Sequence, residues 1–323
     1  MQDLDAKDRK LLYELDCNSR QTIQQLARKI GLSKDGIKYR IAKLTESGII
    51  KSFNAVIDTG KLGFYSFRVF LKFSQASPSK EKEILDFLLK NKNLVWLVHA
   101  SGAWDVNTWF LYKSIEEMNA FWEGLLERYR DYFSRREFAV YAQVTYFSRG
   151  YLLEKKETQF MLPVISLPAE AKLDAGDLRI VELLANDARM PIVRLAAKAK
   201  LTPKTVIAKI RRLEKEKIIV GYRAELDLEK LGFQYYKLHF SLFNCAPEKL
   251  KRMEQHVRHH PNIVFEDKVL GGHDLELEVQ VKSEEEMRAL VGQFRETFSE
   301  SVKEVEVLHY FKEHRLRFFP SLE

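Results

Sequence analysis

Two cysteines in 323 residues, Cys17 and Cys245, are too few and too far apart for a disulfide framework or a thiolate metal cluster. No apolar run approaches the roughly 18 residues needed to cross a bilayer. The opening Met-Gln-Asp-Leu-Asp is no signal peptide. A cytoplasmic protein with no membrane partner is therefore expected. Glycine patterns that cradle phosphates or present a nucleophile are also missing: there is no Gly-x-Gly-x-x-Gly, phosphate loop or Gly-x-Ser-x-Gly. His256, His259 and His260 cluster at a helix end, without a cysteine or acidic partner at zinc spacing. The sequence thus gives no metal site, no catalytic residue and no cofactor.

What is present is a long internal repeat. Shifted by 169 residues, the chain lies on itself without a gap. Leu4-Asp5-Ala6 falls on Leu173-Asp174-Ala175, Arg20 on Arg189, and Leu26-Ala27 on Leu195-Ala196. Ile49-Ile50 falls on Ile218-Ile219, Lys61-Leu62-Gly63-Phe64 on Lys230-Leu231-Gly232-Phe233, and Gly102 and Asp105 on Gly271 and Asp274. The period is too long for a solenoid and marks two copies of a whole module. The net charge of +7 is concentrated: residues 4–52 and 173–221 each carry 11 basic and 6 acidic side chains, so the rest of the chain is net acidic. Equal basic heads on both copies are the footprint of a polyanionic partner, double-stranded DNA.

Within each head, apolar spacing predicts three helices. Residues 5–17 place Leu11, Leu12 and Leu15 inward. Thr22 and Gln25 form a capping-box pattern for the second helix. Ser33–Ser47 puts Ile37, Ile41 and Leu44 on one face and a polar, basic face opposite. Its twin, Thr202–Lys217, starts with Thr202 and Pro203, a strong helix start. Two helices joined at Gly31-Leu32, the second basic outside, are a helix-turn-helix signature. Candidate DNA contacts are Ser33, Lys34, Lys38, Tyr39 and Lys43 in one head. In the other they are Thr202, Lys204, Thr205, Arg211 and Arg212. Gly36 is an odd residue inside a recognition helix, at a cost of roughly 1 kcal/mol against Ala. After each head the pattern turns to strands and helices in the order βαββαβ, with final strands expected over Arg136–Phe147 and Val302–Phe311. Residues Gly150–Lys172, with Pro163 and Pro168 and no clear period, read as a linker.

Leu4-Asp5-Ala6-Lys7-Asp8, Leu26-Ala27, Gly31-Leu32-Ser33, Arg40-Ile41, Gly48-Ile49-Ile50 and Leu62-Gly63 resemble the leucine-responsive regulatory protein/AsnC (Lrp/AsnC) family of prokaryotic transcription regulators. So do Gly102-Ala-Trp-Asp105 and Gly271-Gly-His-Asp274, which resemble that family's glycine–aspartate turn. The resemblance covers nearly the whole chain, twice. It implies an α+β fold: two copies of a helix-turn-helix domain followed by a ferredoxin-like effector and oligomerisation domain. The expected boundaries are 1–57, 58–149, a linker over 150–172, 173–226 and 227–323. It further implies an intrachain pseudo-dimer, assembly into homo-oligomers and a small effector, commonly an amino acid. The effector site would lie around Gly102, Trp104 and Asp105 and around Gly271, His273 and Asp274. Sirohaem decarboxylases resemble the same family in both domains, so an enzyme on this scaffold is the alternative. The intact basic heads favour a regulator that is not an enzyme.

Overall fold

The computed structural model describes residues 4–153, 160–169, 171–317 and 319. The first head is α1 (Ala6–Cys17), α2 (Ile23–Ile30) and α3 (Lys34–Glu46). Each start has a sequence reason. Asp5 and Asp8 make a reciprocal capping box on α1, Thr22 and Gln25 do the same on α2, and Ser33 Oγ accepts from the Gly36 amide. Gly31 ends α2 in the left-handed region at φ 74°. A Cβ on Gly36 would meet Ser33 Oγ at 3.2 Å, a contact that the second module accommodates, where Thr205 stands at the equivalent place beside the Thr202 cap. Strand β1 (Ile50–Ile57) leaves the head and leads to β2 (Tyr65–Phe73), α4 (Pro78–Lys90), β3 (Leu94–Gly102), β4 (Val106–Tyr112), α5 (Ile115–Tyr129) and β5 (Phe133–Phe147). After the short strand β6 (Met161–Ile165) the order repeats. The second head is α6 (Ala175–Asn186), α7 (Ile192–Ala199) and α8 (Pro203–Lys215), followed by β7 (Ile219–Leu226). Then come β8 (Gln234–Leu242), α9 (Pro247–His259), β9 (Ile263–Leu270), β10 (Leu275–Val281), α10 (Glu284–Thr297) and β11 (Val302–Leu316).

The two modules are joined into one body by strands. β2-β4-β3-β11-β8-β10-β9-β5 is hydrogen-bonded in that order, and β5 also pairs with β2, so eight strands close into a ring. The long final strands make the closure. The start of β5 pairs with β2 of its own module, and its end with β9 of the other. β11 pairs with β8 and then crosses to β3 in the same way. β11 runs past the expected Phe311 to Leu316 where it lies on β3 of the other module, whereas β5 gains residues at its start, before the expected Arg136, on β2 of its own module. Helices α4 and α5 cover the outer face of one sheet through Ile84, Leu88 and Leu125; α9 and α10 cover the other through Met253, Val257 and Phe294.

A pseudo-twofold axis runs between the modules. β1 and β7 pair antiparallel with Asn54 opposite Arg223, which are equivalent positions under the 169-residue shift. Hydrogen bonds recur in reciprocal pairs. Ser19 N donates to Tyr222 O at 2.9 Å and Ala188 N to Phe53 O at 2.7 Å. Lys61 Nζ donates to Glu216 O at 2.6 Å and Lys230 Nζ to Ser47 O at 2.8 Å. Arg20 donates to the Ala188 carbonyl, and Arg189 to those of Ser19 and Gln21. Each head also completes its core with the other module's strand: Ala224 and Leu226 pack into the first head, Ala55 and Ile57 into the second.

Within the linker segment 150–172, Gly150–Leu153 forms a turn of 3-10 helix and β6 adds to the edge of β5. Pro163 hid it, since a residue without an N–H is tolerated on an edge strand but not inside a sheet.

Candidate nucleic-acid interface and the polar interior

The outer faces of α3 and α8 are where the sequence puts DNA contacts. Ser33, Lys34, Lys38, Tyr39 and Lys43 are exposed, Tyr39 at 68%. Lys38 reaches Asp35 at 3.1 Å, an exposed pair that costs little to break. On α8, Thr202, Lys204 and Arg211 are exposed and Thr205 is half-buried. Ser33 and Thr202 both serve as N-caps, so their hydroxyls already hold a backbone amide. Arg212 is the exception: it is half-buried and ion-paired with Asp177 of α6, so its first role is to hold the head together. Lys209 makes the same attachment to Asp174 and Asp177, at 2.5 and 3.0 Å, as Arg40 does to Asp5 and Asp8, at 2.8 and 2.6 Å. These cations belong to the heads' scaffold, and Lys34, Lys43, Lys204 and Arg211 are left facing solvent.

The glycine–aspartate turns lie at the junction of the two sheets. A Cβ on Gly102 would meet the Val307 carbonyl at 2.4 Å, and one on Gly271 the equivalent Phe138 carbonyl at 3.0 Å. Both glycines also have positive φ, 111° and 81°. Asp105 accepts from the Phe73 amide at 2.8 Å and Asp274 from the Leu242 amide at 2.7 Å, again equivalent bonds. The aspartates therefore lock the turns. Trp104 is 1% accessible and fills its turn, packed on Phe70 with the Arg135 guanidinium over its ring. His273 occupies the equivalent place in the other module.

Sequence reading missed what fills the ring. The inward side chains of β8 and β10 are Tyr235, Lys237 and His239, and Glu276, Glu278 and Gln280, all but Tyr235 buried. Lys237 is wholly buried and pairs with Asp267, with Glu276 at 2.9 Å and with Glu278 at 3.7 Å. Arg68 crosses from the first sheet to reach Glu278 at 3.1 Å and stacks on Trp96 and Tyr141. Burial raises the Asp267 carboxyl to about 6 despite Lys237, whereas Lys237 and His239 overcome burial at Glu276 and hold it at about 2. Burial outweighs the Glu306 and Glu276 carboxylates and lowers the pKa of His239. On the first sheet the equivalent positions are mixed: Ser66, Arg68 and Asn107 are polar, whereas Phe70, Trp109 and Leu111 are aromatic or apolar, and Val98 stands in place of Asp267. Further along, Gln280 accepts from Arg149, which pairs with the buried Asp16 of α1. Burial pushes Asp16 up, but Arg149 and Arg223 outweigh it and hold the carboxylate below its ordinary range.

Among the described residues no helix is long and apolar enough to cross a membrane. A winged helix-turn-helix DNA-binding model matches residues 4–51, and an AsnC-type helix-turn-helix domain matches residues 173–214. The HTH-type transcriptional regulator Ptr1 of Methanocaldococcus jannaschii is 32% identical over 118 residues, 36% of this chain and 78% of that protein. An uncharacterised HTH-type transcriptional regulator of Pyrococcus furiosus is 27% identical over 137 residues, 42% of this chain and 88% of its own length. Such relatives are about half as long as this chain. Over nearly the full length the fold is that of the sirohaem decarboxylase NirDL, with TM-score 0.65, 12% identity, and coverage of 99% of this chain and 95% of that one. With helix-turn-helix matches in both modules and relatives that are themselves regulators, this chain belongs to the Lrp/AsnC family of helix-turn-helix transcription regulators.

Proposed function

We propose that this regulator reads double-stranded DNA in a sequence-specific way with two non-identical heads carried on one chain. The observation that carries the reading is the exposed basic face on both third helices, in heads that the reciprocal strand and arginine contacts fix relative to each other. Each module is read as a helix-turn-helix domain followed by a ferredoxin-like β-α-β-β-α-β domain. The eight-strand ring then stands in for the dimer interface of two separate chains. Lys34, Lys38, Lys43, Lys204 and Arg211 neutralise phosphates, and Tyr39 and Arg211 reach base edges. A small effector, an amino acid by the family resemblance, is assigned to the turns around Gly102–Asp105 and Gly271–Asp274, and further association of chains to the sheet domains. The reading is of a binding protein, not an enzyme.

Fluorescence anisotropy with DNA from the protein's own promoter, across a salt series, tests it. Lys38→Ala and Arg211→Ala are each expected to weaken binding about tenfold and to reduce the salt slope by about one. Unchanged affinity in the double variant would overturn the interface. One observation favours a second reading: the whole-chain fold shared with a sirohaem decarboxylase, one crystal structure of which carries an iron-uroporphyrin III analogue. Adding sirohaem to the purified protein separates the readings. A shifted Soret band and loss of substrate carboxylates support the enzyme; an unchanged spectrum beside tight DNA binding supports the regulator.

A further inference from the structure

Four side chains from both modules converge where the final strands cross. They are Glu137 on β5, His239 on β8, His273 in the turn between β9 and β10, and Glu306 on β11. Donor atoms of Glu137, His239 and His273 all lie within 4.8 Å of one another. Glu306 adds a fourth donor: its Oε2 is 3.6 Å from His273 Nε2 and 3.7 Å from His239 Nδ1, while Glu137 Oε1 is 3.8 Å from His273 Nε2. These four atoms are buried, and none has a hydrogen-bond partner within 3.5 Å among the described residues. His239 is 0% accessible and neither of its ring nitrogens is satisfied. Orphaned buried polar atoms are rare and costly, and four aimed at one point call for a ligand that accepts lone pairs.

We infer that Glu137, His239, His273 and Glu306 form a binding site for one divalent first-row transition ion, shared by the two modules. Two imidazoles and two carboxylates are the donors of a Zn²⁺-type site. Metal–ligand bonds of about 2.1 Å place tetrahedral donors about 3.4 Å apart, so the three gaps of 3.6 to 3.8 Å close by a few tenths of an ångström and the wider ones, within 4.8 Å, by side-chain rotation. The rings of His239 and His273 stack 4.4 Å apart at 25°, and a small turn of each converges their lone pairs. Glu276 Oε2 sits 3.7 Å from His239 Nε2, where a metal-bound histidine commonly has a carboxylate to fix its tautomer and orientation.

The repeat gives an independent argument. Glu137 and Glu306 are equivalent under the 169-residue shift, so the pair lies across the pseudo-twofold axis. The equivalents of His239 and His273 are Phe70 and Trp104. One side of the axis therefore presents imidazoles and the other aromatic carbon, with Phe70 edge-on to His239 at 5.1 Å. Two identical chains would place two copies of every donor there; the fusion allows a single, one-sided site.

The test uses the metal-stripped full chain titrated with Co²⁺ and then competed with Zn²⁺, without DNA, so it is independent of the regulator reading. The expected result is one Co²⁺ per chain with the strong visible bands of a tetrahedral site, displaced by Zn²⁺. His273→Trp and His239→Phe install the first module's residues, and each should weaken binding at least 100-fold, since outer-shell changes alone cost roughly 10–100-fold. Glu137→Gln keeps the shape, and its loss of binding with an unchanged circular dichroism spectrum separates a lost donor from a misfolded chain. His256→Ala, at the outer histidine cluster, should bind normally. The inference is overturned if the folded chain binds no Co²⁺, if Glu137→Gln and His273→Trp bind it unchanged, or if only His256→Ala abolishes binding.

Discussion

Buried charge decides which single residues matter most for stability. Lys237 faces Asp267, Glu276 and Glu278 with no solvent to screen them. Lys237→Met leaves three carboxylates with Arg68 and His239 opposite, and breaking a buried pair from one side costs about 3–5 kcal/mol. Chemical denaturation should show a midpoint shift of that size with an unchanged slope. Glu266 is a cleaner pH probe. It is 2% accessible, and burial, with Glu254 nearby, raises its carboxyl to about 7. A raised carboxyl favours the protonated fold, so its contribution is fully present below the unfolded value near 4.5 and is lost as pH rises through 7. Glu266→Gln should therefore make little difference at pH 4 and stabilise the chain at pH 8 by up to about 3 kcal/mol, at about 1.4 kcal/mol per pKa unit. Thermal melts of both proteins at the two pH values check it; equal shifts at both would refute the assignment. The polar interior was partly legible. Lys237 and His239 alternate with Leu238 and Phe240, and Glu276 and Glu278 with Leu277 and Val279, a period-two signal of a buried inner face that is polar. Which carboxylates meet across the ring was not legible, because that depends on the strand exchange.

The elements differ in how clearly the sequence announces them. Helix starts were readable from Thr22, Ser33 and Thr202, because a cap is local chemistry. The end of β11 beyond Phe311 was not, because it exists only by pairing with β3 of the other module, and β6 was not, because it is an edge strand that carries Pro163. The helix ends of the second head carry a further consequence. Gly31 and Gly48 adopt left-handed backbone at φ 74° and 73°, and their equivalents Lys200 and Lys217 do so at 55° and 58°. A side chain in that region costs about 1 kcal/mol. Lys200→Gly and Lys217→Gly are each expected to stabilise the second head by roughly 0.5–1 kcal/mol. Hydrogen exchange should slow in α7 and α8 and stay unchanged in α2 and α3. Uniform slowing across both heads would show that the heads unfold as one unit and the strain is not local.

At the scale of the molecule, the fusion breaks a symmetry that two separate chains would have to keep. The recognition helices share a core stripe, Ile37, Leu44 and Val206, Leu213, all buried. Their outer faces do not match: Lys38 is opposite Ile207, Tyr39 opposite Ala208, and Ala42 opposite Arg211 in the repeat. Their attachments differ as well. The first head is anchored by the buried Asp16–Arg149 pair, whereas at the equivalent place the second has Ala185, whose carbonyl accepts from Asn54 at 2.7 Å. A dimer of identical heads reads two identical half-sites, and this chain has no reason to. Selection of bound sequences from a random DNA library should return two different half-sites in a fixed orientation. Tyr39→Ala should relax the sequence preference of one half only, and Arg211→Ala that of the other, each by about 1–3 kcal/mol at the affected base pairs. Lys34→Ala, at a proposed phosphate contact, should weaken all sequences alike. Perfect inverted repeats whose halves respond equally to Tyr39→Ala and Arg211→Ala would sink the two-headed reading, because equal responses require the heads to be interchangeable on DNA.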